Sequence, residues 1–269
     1  MSEAPAPTER GVLLTIAYEG GPFAGFAPQP AQRTITGELL GALRAVDPHI
    51  SHIRGASRTD AGVHARGQRV AFDTRATLPT RGWVLAVSRH LPAQIAVRRA
   101  AFVDKGFSPR FENQGKRYRY LILRDPVRDP FLEGRVWRAP GALDEEALAR
   151  ARREAEDALG THDFGAFRSS ADARTTTTRT VRSLAITVDP GDPRLIRVDV
   201  EGDAFLHNMV RILVGTLVDV ARGHRPPGAI RRALDSRSRG DAGITAPADG
   251  LCLEEVLLAD EGLDVWPPR

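Results

Sequence analysis

Cysteine is almost missing from this chain of 269 residues: Cys252 stands alone. A single thiol makes no internal disulfide and no cysteine-cluster metal site, so a cytoplasmic protein is expected. Histidine pairs at metal-ligand spacing are missing too. The seven histidines are scattered, with no HxxxH or HxH, and no metal site is expected. There is no phosphate-cradling GxxxxGK loop and no dinucleotide fingerprint, so no cofactor is expected either. Long apolar runs are also lacking. The longest candidate, FLHNMVRILVGTLVDVA, carries His207, Arg211 and Asp219, which argues against a membrane span. Lysine is scarce: among 38 basic residues only Lys105 and Lys116 are lysine.

What remains is ordinary globular material with an uneven charge pattern. Hydrophobic residues make up 42% and charged residues 27%, enough for a real core in one large domain or two smaller ones. From Arg81 to Arg124 there are ten basic residues and two acids, whereas Asp249 to Asp264 holds six acids and no base. Guanidinium is a planar fork that bonds two phosphate oxygens at once, so the central basic block points to a polyanion partner. The first ten residues, MSEAPAPTER, are polar and proline-rich. They read as a frayed tail over residues 1–10, not as a signal peptide.

Periodicity gives two similar halves. GVLLTIAY (Gly11–Tyr18) reads as a buried strand. Ile35 to Val46 reads as a helix with Thr36 as its cap. Strands are expected over His49–Ala56 and Gln68–Thr74, a helix capped by Thr80 and stopped by Pro92, and a strand over Ile95–Val103. The second half repeats this order. It has a strand Lys116–Arg124, a helix from an Asp144 cap to Leu159 with Gly160 as its stop, and a hairpin of Thr180–Asp189 with Arg194–Gly202. A helix Phe205–Arg222, an extra helix Pro227–Ser236 and a strand Leu251–Leu258 follow. The fold class expected is α+β: two halves, 11–110 and 111–269, each in the split β-α-β-β-α-β order of ferredoxin-like domains, with antiparallel or mixed sheets flanked by helices.

Three stretches could carry chemistry. SRTDAGVHARGQ (Ser57–Gln68) falls between the two middle strands of the first half, in a loop held by a sheet, where reactive side chains often sit. Its Ser, Thr, Asp and Gly are also plain turn vocabulary. Arg58 beside Asp60 favours the ionised acid, and His64 serves either the loop or a substrate. In KRYRYLIL (Lys116–Leu123), alternation puts Tyr118 and Tyr120 on one face and Arg117 and Arg119 on the other. That is a half-buried strand, or a surface where aromatics stack on bases and cations hold phosphates. In FLHNMVRILVG, Phe205, Met209, Ile212, Leu213 and Thr216 form a core stripe. Arg211 sits inside it and, if buried, needs a carboxylate, for which Asp60 is the candidate.

These three stretches resemble the signature segments of TruA-type tRNA pseudouridine synthases. The segments IAYEGGPFAGF, LPAQIAV, FSPRFENQGKRY and GLCL agree, and the similarity runs from about Leu13 to Leu258 in the family's order. The resemblance implies two ferredoxin-like halves around a central catalytic cleft, a homodimer, and a substrate in the tRNA anticodon arm, the uridines at positions 38 to 40. It implies Asp60 as the catalytic carboxylate, Tyr118 against the target base, and Arg211 paired with the acid. Arg58 would displace the base from its stack, and Leu251 or Leu253 would form the apolar wall over it. Arg117 and Arg119 are expected to bind RNA phosphate.

The chain departs from the family pattern at Glu19, at Phe26 where an indole is usual, at Ser88 and at Asn208. None of these is the acid, the tyrosine or the arginine. The alternative is a non-catalytic RNA-binding or RNA-folding protein using the same surface, which would need no buried acid facing phosphates. A carboxylate-dependent glycosidase would need a second working carboxylate, and only Asp60 has a chemical neighbourhood.

Overall fold

The first strand, β1 (Arg10–Tyr18), is apolar at nearly every position and buried along most of its length. The computed structural model of the chain describes residues 9–141, 143–172 and 175–268. Of the tail expected over residues 1–10, residues 1–8 lie outside the described residues, and Arg10 already belongs to β1. Further along come α1 (Ile35–Val46), β2 (Arg54–Gly55), β3 (His64–Thr74), α2 (Thr80–Ser88) and β4 (Ile95–Val103). Then follow β5 (Asn113–Leu123), β6 (Trp137–Arg138), α3 (Glu145–Glu156), β7 (Gly160–Asp163), β8 (Thr178–Val188) and β9 (Leu195–Gly202). The last elements are α4 (Met209–Ala221), α5 (Ala229–Ser236), β10 (Leu251–Leu258) and β11 (Leu263–Trp266). The result is a mixed α+β chain that divides into two units at Gln114/Gly115 and again at Cys252/Leu253, so the C-terminal segment belongs with the first unit.

In the first unit β1 is central, antiparallel to β3 on one side and to β4 on the other. The two-residue β2 pairs with β3, and β11 pairs with β4. The order is therefore β-α-β-β-α-β, with β4-β1-β3 side by side and the two-residue β2 paired on β3 off this path. Glu261 ties the C-terminal segment down: its carboxylate accepts from Arg69 and from Arg99, each at 2.9 Å. Trp83 of α2 is fully buried and meets Phe72 of β3 edge-on at 5.0 Å. Burying aromatics of this size contributes about 1.5–3 kcal/mol each.

Two caps differ from expectation. Thr34, not Thr36, caps α1: its extended backbone lets Oγ1 accept from Gly37 N at 3.2 Å, whereas Thr36 is already inside the first turn. Pro79, not Thr80, precedes α2, with no side-chain cap, and α2 stops at Ser88 rather than running to Pro92. The strand expected over His49–Ala56 shrinks to Arg54–Gly55. The Ile50 and Ser51 carbonyls are taken by the Arg44 guanidinium at 2.9 Å each, so they are lost to a strand ladder.

In the second unit β5 and β9 are antiparallel, followed by β8 and β7, and β6 runs parallel to β5. Asp144 caps α3 as expected, accepting from Ala147 N at 2.9 Å. The helix ends at Glu156 and not Leu159, and Gly160 opens β7 at φ +98° instead of ending α3. Helix α4 is buried at almost every position and packs on α3, forming the middle of this unit's core. It begins at Met209 and not at Phe205. Asn208 takes a left-handed conformation, φ 64°, which a right-handed helix cannot run through. Glu154 on α3, itself buried, accepts from Gly228 N and Ile230 N at 2.8 and 2.6 Å and so holds the start of α5.

Candidate active site

Asp60 lies on the turn that enters β3, and the sequence fixes this turn through bonds that reach far along the chain. Val63 N donates to Asp60 O at 3.1 Å, and Gly62 adopts φ +81°, which closes the turn. The residue before the acid, Thr59, is buried, and its hydroxyl shares a 2.7 Å hydrogen bond with Tyr18 at the end of β1. Phe26 N donates to Thr59 O at 3.0 Å. The fully buried Gln68 bridges the loop's other arm, donating to Ser57 O at 2.7 Å and accepting from Ser57 N at 3.2 Å.

Two glycines make room for this bracing. A Cβ on Gly20 would stand 2.1 Å from Val63 O, and one on Gly25, which is at φ +98°, would stand 3.0 Å from Thr59 O. Gly20 N also donates to His64 Nδ1 at 3.1 Å, so the neutral ring carries its proton on Nε2. His64 is buried. Arg58 is exposed.

Tyr118 and Arg211 belong to the second unit. Tyr118 is 7% exposed, on the buried face of β5 with Tyr120 and Ile122, and the Phe205 ring meets it edge-on at 5.2 Å. Arg211, on the first turn of α4, donates through Nε to Ala246 O at 2.7 Å and through one terminal nitrogen to Asn208 Oδ1 at 2.8 Å. Ala246 N returns a bond to Arg211 O at 3.2 Å. The guanidinium therefore has a fixed direction. Tyr120 donates to Pro247 O at 2.7 Å; burial pushes its phenol far above the ordinary value, with the Arg211 charge pulling the other way, so it stays neutral.

The other expected residues are also located. Leu251 and Leu253 are both buried, in the second and first unit respectively. Arg117 and Arg119 lie on the partly exposed face of β5, as the alternation required, and each meets an acid on β9: Arg117 reaches Glu201 at 3.0 Å and Arg119 reaches Asp199 at 2.7 Å. Four residues that matter for the geometry were not singled out for it from the sequence: Tyr18, Gln68, Phe205 and Asn208. Tyr18 stands within IAYEGGPFAGF, but its partner is 41 residues away.

Among the described residues no helix is long and apolar enough to cross a membrane, and no group of three or more His, Cys, Asp or Glu side chains gathers as a metal cluster.

Comparison with known proteins identifies relatives of the chain. Residues 155–257 match a family model described as tRNA pseudouridine synthase. The chain is 44% identical to a tRNA pseudouridine synthase A of Syntrophotalea carbinolica, over 93% of this chain and 97% of the relative. It is 40% identical to the protein of that name from Citrifermentans bemidjiense, over 92% and 97%. It is 41% identical to that of Myxococcus xanthus, over 92% and 91%. Among solved structures, a Cbf5-Nop10-Gar1 complex overlaps at a TM-score of 0.39 and 13% identity, covering 92% of this chain and 50% of that one, too weak a likeness to bear on the fold.

Proposed function

The chain belongs to the tRNA pseudouridine synthase A family, and from that membership we infer that it isomerises uridine to pseudouridine in the anticodon arm of tRNA, at positions 38 to 40, with Asp60 as the catalytic carboxylate. One observation carries the reaction: identity of 44% across 93% of the chain to a protein named for it. The relatives' names do not favour the alternative of a binding-only protein. The β-α-β-β-α-β order of the first unit, with β1 between β4 and β3, supports reading that half as ferredoxin-like. The family resemblance supports a homodimer.

The reaction breaks the bond from C1′ to N1 of uridine, turns the base, and joins C5 to C1′; the C5 proton then leaves. Nothing is oxidised or hydrolysed. A stacked base must first leave its stack, at a cost of a few kcal/mol. Packing against Tyr118 beneath a wall of Leu251 or Leu253, with Arg58 in the vacancy, offsets that cost. Asp60 then acts as an anion, either attacking C1′ to form a sugar adduct or taking a C2′ proton to form a glycal. Arg211 is the proposed counter-ion of this acid. Tyr118 takes the C5 proton, directly or through water.

Release of tritium from C5-labelled uridine in tRNA tests this reading. Wild type releases it, while Asp60→Ala and Asp60→Asn do not, although both still bind tRNA. Activity of Asp60→Asn at about a tenth of wild type or more removes the acid from its role.

A further inference from the structure

Asn208 is one of the few residues other than glycine at positive φ, 64°. Such strain persists only where the surroundings over-determine it, and it gathers at functional sites. Asn208 does not use its side chain to cap α4, as asparagine at that position usually does. It turns the side chain to Arg211 instead, at 2.8 Å.

What holds the turn lies one residue earlier. The backbone of His207 is gripped from both sides by a loop far away in sequence: Asp172 Oδ2 accepts from His207 N at 3.0 Å, and Ser169 N donates to His207 O at 2.9 Å. Asp172 N donates to Ser169 O at 3.0 Å, which closes the two prongs into one turn. This loop is itself anchored. Phe164 and Phe167, just before it in the chain, are fully buried, and Phe164 N donates to Thr177 O at 3.1 Å. The gripped residue stands between Phe205, which meets the Tyr118 ring, and Asn208, which directs Arg211.

We propose that Asp172 is a positioning residue for the isomerisation: by clasping the His207 backbone it sets both the direction of the Arg211 guanidinium and the seat of Phe205 against Tyr118. This rests on the function proposed above. Asp172 works as a hydrogen-bond acceptor here, so an amide oxygen at the same place serves as well.

The test uses the full chain and tRNA, with turnover, tRNA affinity, thermal stability and amide exchange at residues 207–212 measured together. Asp172→Ala lowers kcat about tenfold or more with tRNA affinity within about twofold, and speeds exchange at residues 207–212; Asp172→Asn stays within about threefold of wild type in kcat. Wild-type kcat in Asp172→Ala overturns the proposal. Equal losses in Asp172→Ala and Asp172→Asn at unchanged stability also overturn it, because the charge and not the clasp would then matter. If Asp172→Ala does not fold, Asp172→Asn and Asn208→Gly decide. Glycine takes the left-handed turn without strain but drops the bond to Arg211. Asn208→Gly slow and Asp172→Asn active supports the clasp, and any other combination overturns it. If wild type makes no pseudouridine, the functional reading fails by itself. The clasp is then judged on exchange alone: faster exchange at residues 207–212 in Asp172→Ala supports it, and unchanged exchange overturns it.

Discussion

At the scale of single residues, Asp60 is defined by neighbours that do no chemistry. Thr59 is buried beside it, and its hydroxyl is tied to Tyr18 at 2.7 Å. Replacing Thr59 by valine keeps the shape and deletes that bond. Losing one such hydrogen bond costs about 0.5–1.5 kcal/mol, but here the larger effect is on aim. Thr59→Val is expected to lower kcat about tenfold while tRNA affinity stays within about twofold, because the acid shifts and the RNA surface does not. Single-turnover rates against tRNA affinity check this; loss of affinity with an intact rate would place Thr59 in binding instead.

At the scale of elements, the loop that clasps α4 is rooted at the end of β7. Asp163 accepts from the Thr177 hydroxyl and from Gly165 N at 3.0 Å, and meets Arg237 at 3.2 Å. The Thr177 bond does most to hold this carboxyl below its ordinary value, with partial burial opposing and the Gly165 bond and Arg237 charge adding. A folded-state value lowered in this way adds stability above the ordinary aspartate range, and that stability is lost as pH falls through the folded-state value. Asp163→Asn is therefore expected to melt about 2–4 °C below wild type at neutral pH, the gap narrowing as pH falls through and below the ordinary aspartate range. Melting curves across that range measure it; a constant gap would mean that shape and not charge is responsible. Elements with apolar periodicity were the legible ones. The expected bounds of α1, β4 and β10 coincide with those observed. The two-residue β6, the four-residue β7 and β11 in the acidic tail carry too little pattern to see. The candidate acid stands out in RTDAGVHA because an acid, a cation and a histidine crowd there. The bonds from Tyr18 to Thr59 and from Asp172 to His207 span 41 and 35 residues, and no local pattern encodes them.

At the scale of the whole molecule, a net charge of only +4 hides how its arginines are employed. Within the basic block read from the sequence, Arg117 and Arg119 on β5 meet acids on the neighbouring strand, Glu201 and Asp199 on β9. Both pairs are partly exposed, and exposed pairs contribute only about 0–1 kcal/mol, so RNA phosphate can displace the carboxylate. Binding through such an exchange still counts as a phosphate contact, because the phosphate sheds its counterion whichever cation arrives. If Arg117 and Arg119 are RNA contacts, Arg117→Gln and Arg119→Gln are each expected to lower the salt slope of tRNA affinity by about one. Glu201→Gln supplies the converse: it releases Arg117 from its strand partner and should tighten tRNA binding at low salt without reducing the slope. Binding measured from low to moderate salt with all three variants reads this directly. Unchanged slopes in both arginine variants, with no gain in Glu201→Gln, would leave these arginines as cross-strand ties of the sheet and move the RNA contacts to other cations of the chain.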